Sequence, residues 1–80
     1  MRVGKMRVNT IKAIATKISK RYGVENYVRV EKLDGNKIEI RTELPSYAGG
    51  IELQKAITKH YPSAIVENCG GCVYIVYRPL

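Results

Sequence analysis

The sequence predicts a two-layer α+β fold of order αββαββ, with two helices on one face of a mostly antiparallel sheet. Three observations predict it. Apolar residues recur at helical spacing in two stretches, Ile11, Ile14, Ala15, Ile18 and Tyr22, then Leu53, Ala56, Ile57 and Tyr61. After each stretch come two β-patterned segments joined at a glycine, first Asp34-Gly35 and then Gly70-Gly71. The repeated order is echoed in the residues. Ile18-Ser19-Lys20-Arg21-Tyr22-Gly23 aligns with Ile57-Thr58-Lys59-His60-Tyr61-Pro62, the pattern a duplicated unit would leave. At 80 residues the whole chain, 1–80, is one domain with a thin core.

Taken in order, Asn9 or Thr10 is placed to cap a first helix that runs to Tyr22 and stops at Gly23. A strand is expected over residues 25–32, with Val28 and Val30 on one face. Leu33-Asp34-Gly35-Asn36 follows as a hairpin turn, with Asp-Gly in the left-handed positions. The return strand, 37–42, turns Ile38 and Ile40 one way and Lys37, Glu39 and Arg41 the other. Residues 44–50 are the longest break. A second helix is expected over 51–61, ended by Pro62, with His60 on its apolar arc. The second hairpin pairs 64–68 with 72–78. Within it Val73-Tyr74-Ile75-Val76-Tyr77 shows no polar alternation. Such a strand is central in its sheet or covered by a second copy, so a homodimer is expected. Residues 1–8 read either as a basic arm or as an N-terminal strand. The second option would give βαββαββ, which resembles a ferredoxin-like sheet with an added strand and implies no function.

Charge carries the functional signal. The formal net charge is +7, from 14 Lys and Arg against 7 Asp and Glu. All of it arises before Glu25, where Arg2, Lys5, Arg7, Lys12, Lys17, Lys20 and Arg21 meet no acid. From Glu25 onward the two signs balance. An amphipathic helix that is merely solvated usually mixes both signs, whereas unopposed positive charge points to a polyanion. The expected partner is therefore nucleic acid, DNA or RNA, held through its phosphates with limited sequence preference. Tyr27 and Arg29, expected on one strand face, would add stacking and a further cation. The competing expectation is a small interaction or inhibitor protein steered onto an acidic protein partner.

Other candidates carry less. Cys69-Gly70-Gly71-Cys72 is a single C-x-x-C across a hairpin turn. A redox motif of this spacing belongs where a strand enters a helix, and structural zinc normally takes four ligands. Within one chain only His60 could add a third ligand, so zinc would need two chains. A Cys69–Cys72 disulfide would clamp the turn but close a very small loop. Two ordinary thiols beside a Gly-Gly turn is the favoured expectation. Gly49-Gly50 lacks the Lys and Ser/Thr of a phosphate-binding loop. The carboxylates are scattered, and no arrangement signals acid–base chemistry. The chain is thus expected to be non-enzymatic and without a cofactor. No apolar run approaches a membrane span and no signal-peptide core is present, so a cytoplasmic location is expected.

Overall fold

Helix α1 (Val8–Lys20) forms where the apolar stripe dictates, and it buries Ile11, Ala15 and Ile18. The computed structural model describes residues 6–79. The helix begins at Val8, ahead of the expected Asn9 or Thr10 cap, and Arg7 holds the N-cap position without a side-chain cap bond. A tertiary anchor replaces the cap. Arg7 N–H donates to the Tyr61 hydroxyl at 3.3 Å, the Arg7 carbonyl accepts from Ile11 N–H at 3.0 Å, and Met6 and Val8 pack on the core. Val8 is helical and Met6 is not in a strand, so the order among the described residues is αββαββ. The arm-or-strand alternative for residues 1–5 lies outside them.

At the other end Gly23 takes φ 70° and Val24 N–H bonds back to Ser19 O at 3.1 Å, the expected glycine stop. The next strand starts later than residue 25. Glu25–Tyr27 forms a 3-10 turn that carries the chain from the helix end to the sheet edge, and β1 spans Arg29–Leu33. Tyr27 therefore sits in the turn and does not share a strand face with Arg29. Strand β2 (Lys37–Arg41) returns with Leu33 paired to Lys37. Three residues close this hairpin, and its left-handed positions are Gly35 (φ 73°) and Asn36 (φ 60°) rather than Asp34-Gly35.

Beyond β2 the backbone becomes helical at Ser46, earlier than the expected residue 51. It passes through a π-turn, Ala48–Leu53, into helix α2 (Gln54–His60). Gly49 N–H is bonded to Pro45 O at 3.0 Å, so it belongs to the helix entry. Leu53 and Ile57 face the core as expected, but His60, in the last turn, is exposed with its ring edge-on to Tyr61.

Among the described residues, strands β3 (Ile65–Asn68) and β4 (Val73–Tyr77) complete a four-stranded antiparallel sheet of order β1-β2-β4-β3. Each helix–hairpin unit supplies half of the sheet, and the halves join through their second strands, with Glu39 opposite Ile75. Helix α1 packs over β1 and β2, and α2 packs beside it against β3. Strand β4 is central, which accounts for its unbroken apolar character. Tyr74 and Val76 are buried under the helices, and Val73, Ile75 and Tyr77 stand half-buried on the opposite face.

Candidate nucleic-acid interface

The polar side of α1 carries three lysines, of which Lys17 and Lys20 stand three residues apart. Lys12, Lys17 and Lys20 are all exposed and line one shallow concavity together with Asn9, Ala13 and Thr16. The small side chains at Ala13 and Thr16 leave room between the lysine stems. Like charges three or four residues apart on a helix repel, and α1 contains no acid to relieve them. An anion lying along the face would.

Lys12 also lines a second open cleft at β1, an edge strand among the described residues, and this cleft holds Arg29 and Arg41 together with Glu31 and Glu39. The cations of the helix layer thus meet, at the sheet edge, a cleft of mixed charge. Arg29 projects from the outer face of β1, and its guanidinium donates to the carbonyls of Val28 (3.1 Å) and Asn26 (3.3 Å). Arg41 stands across from Arg29 in the ladder and pairs with Glu39 at 2.9 Å; that carboxylate pushes the Arg41 pKa further up. Arg7 is exposed at the start of α1. Arg2 and Lys5 lie outside the described residues.

Arg21 points elsewhere, toward α2. Its Nη1 donates to Glu52 Oε1 at 2.6 Å, and the Tyr22 hydroxyl donates to the other carboxylate oxygen. The bond to Glu52, with some burial, pushes the Tyr22 pKa up to about 12. Between the two helices runs a groove lined by Ile18, Arg21, Glu52, Lys55, Ala56 and Lys59. In sequence Lys55 and Lys59 belong to the neutral stretch. In space they stand on the helix layer with the cations of α1. The signal for them was their i, i+4 spacing on the polar side of the second helical stretch. Arg41 had a signal too, the alternation that turned it to the wet face of β2.

Tyr27 is 60 % exposed in its 3-10 turn. Tyr47 is 63 % exposed and Ile51 58 % exposed at the entry to the second helical segment. The Tyr47 ring meets Tyr22 edge-on, with centroids 6.4 Å apart and planes at 76°. Nothing in the local pattern singled out Tyr47 as exposed, because it lay in the stretch without periodicity.

The outer sheet face has a different character. Val73, Ile75 and Tyr77 of β4 form its middle, with Ile65 beside Tyr77 on the outer strand β3, flanked by Lys37, Glu39, Arg41 and Glu67. Lys37 Nζ lies 6.0 Å from the Tyr77 ring centroid, and the Tyr77 hydroxyl donates to Glu67, which raises its pKa. Cys69 is exposed and Cys72 half-buried, and both thiols are free. Cys72 Sγ donates weakly to Leu44 O at 3.5 Å. Among the described residues no three His, Cys, Asp or Glu are grouped so as to hold a metal ion. Among them, too, no helix is long and apolar enough to cross a membrane. Compared with known proteins, the chain matches no family model, no curated protein and no solved structure.

Proposed function

We propose that this chain is a small, non-enzymatic nucleic-acid-binding protein that contacts phosphates through its helix layer, with limited sequence preference. One observation carries the proposal. Lys12, Lys17 and Lys20 stand exposed on a helix that contains no acid, and they line one shallow concavity. Unopposed cations of this kind neutralise phosphates, and releasing their counterions drives binding without reading bases.

A second copy of the chain is the proposed occupant of the outer sheet face. The apolar middle of that face is bordered by charges of both signs, so it matches itself better than it matches a polyanion. Packing the two sheets together would turn both helix layers outward and double the α1 lysine face, while Arg29 and Arg41, on the packed face, would belong to the interface between the copies.

Filter binding over a salt series tests the main proposal. If about five phosphates are neutralised, log affinity for duplex DNA falls with log salt at a slope of roughly −4 to −5. The Lys12→Gln/Lys17→Gln/Lys20→Gln variant should make that slope shallower by roughly three units, across unrelated sequences alike. Lys32→Gln, at the far end of β1, should leave it unchanged. A slope indifferent to the triple replacement would reject the proposal. Retention on heparin with no binding to DNA or RNA would transfer the charge to an acidic protein partner.

A further inference from the structure

We infer that the Tyr22–Tyr47 pair beside Arg21 receives an unstacked base, so that the nucleic acid this protein takes is single-stranded. The inference rests on the phosphate-binding proposal above and names the strand form that the helix layer accepts in the groove between α1 and α2.

The sequence gives Tyr47 no partner, and the fold supplies one. Arg21 and Tyr22 close α1, and both reach Glu52 in the π-turn. Tyr22 in turn braces the ring of Tyr47 edge-on. The ring is thus positioned by a chain of contacts while most of its surface stays in water, with Ile51 exposed four residues on. Both exposed side chains belong to or adjoin the π-turn Ala48–Leu53, and π-turns recur at functional sites. The Glu52 carboxylate does not make the place hostile to phosphate. Its two oxygens are taken by Arg21 and Tyr22, and Lys55 and Lys59 line the groove that starts at this same carboxylate.

Stacking platforms flanked by cations suit single strands because every base has an open π-face there, at no cost in sequence generality. In a duplex those faces are already stacked on one another, and an aromatic ring on a convex helix end cannot reach them. A strand whose phosphates follow Lys55, Lys59 and Arg21 would bring a base to Tyr47. Tyr27 is equally exposed, but none of the ring contacts among the described residues braces it.

The probe is a fluorescein-labelled oligo-dT of about twelve nucleotides, within the usual site size for such grooves, beside a duplex of equal length. Anisotropy at fixed salt should show tighter binding to the single strand. Tyr47→Ala should weaken that binding roughly 5- to 150-fold, the range for loss of one base stack, without changing the salt slope. Tyr47→Phe should keep the affinity, and Tyr27→Ala should change it little. Duplex binding should be indifferent to Tyr47→Ala. Photocrosslinking of an iodouracil-containing oligonucleotide to the unaltered protein should label the peptide that carries Tyr47, a readout independent of how the variants fold. Equal affinity for the two probes with Tyr47→Ala silent would overturn this inference and leave the phosphate-binding proposal standing. No binding to either probe would overturn both.

Discussion

A Cβ built on Gly49 would stand 1.9 Å from the Tyr74 hydroxyl oxygen and 2.2 Å from its Cζ. Real Cβ atoms do not approach that closely, so the buried tyrosine of β4 and the π-turn meet here only because residue 49 has no side chain. Gly50 meets nothing within 4 Å and its φ is not positive, so an added methyl there would be free of both constraints. The two adjacent glycines are therefore expected to respond with opposite sign. Gly49→Ala should destabilise the fold by about 1–3 kcal/mol, the usual cost of overpacking. Gly50→Ala should be neutral or add up to about 1 kcal/mol through a less flexible unfolded chain. Urea midpoints at unchanged slope would check both, and equal effects would contradict the close approach. In a Tyr74→Val background the added cost of Gly49→Ala should shrink, because the two residues share one contact. The sequence marked Gly49-Gly50 as a break between elements. It could not show that one glycine is fixed by a tyrosine on a strand that forms from the far end of the chain.

The elements themselves were legible where periodicity was strong and less so at their ends. Ile11, Ala15 and Ile18 announced α1, and Ile38 and Ile40 announced β2, because burial on one face leaves a repeating mark. The start of α1 left none. Its N-cap residue, Arg7, has extended backbone (φ −109°, ψ 135°) suited to a capping side chain, yet it contributes no cap bond. It also sets a positive charge at the positive end of the helix macrodipole. A residue that breaks two local rules at once is expected to be kept for another purpose, here the basic surface. Arg7→Asp should cap the first turn and stabilise the fold by about 0.5–1.5 kcal/mol. The same replacement should weaken nucleic-acid binding, since it reverses a charge beside the lysine face. Thermal unfolding and filter binding on one preparation would check this. Stability and affinity falling together would mean that the Arg7 side chain supports the fold, and that the loss of affinity does not report its charge.

For the molecule as a whole, charge counted along the chain and charge seen on the surface differ. The acid-free first helix was visible in the sequence, but its alliance with Lys55 and Lys59 appears only when α1 and α2 share a layer. Arg29 shares a cleft with Lys12 because β1 is an edge strand among the described residues, an outcome of the β1-β2-β4-β3 order that no local pattern encodes. The same order puts β4 in the middle and splits its apolar run into two roles. Tyr74 and Val76 belong to the core, so a carboxylate at Tyr74 would unfold the chain and report nothing about assembly. Ile75 faces outward between Glu39 and Glu67 in the ladder. In a monomer a glutamate at 75 would remain half in water and leave the domain folded. In a sheet-to-sheet dimer it would be buried against an apolar strip with acids on both sides, where an unpaired carboxylate is costly and like charges repel. The unaltered 9.0 kDa chain should therefore sediment as a dimer at micromolar concentration. Ile75→Glu should sediment as a monomer with its far-ultraviolet circular dichroism intact. A clean monomer for the unaltered protein at high concentration would reject the dimer, as would a dimer that survives Ile75→Glu.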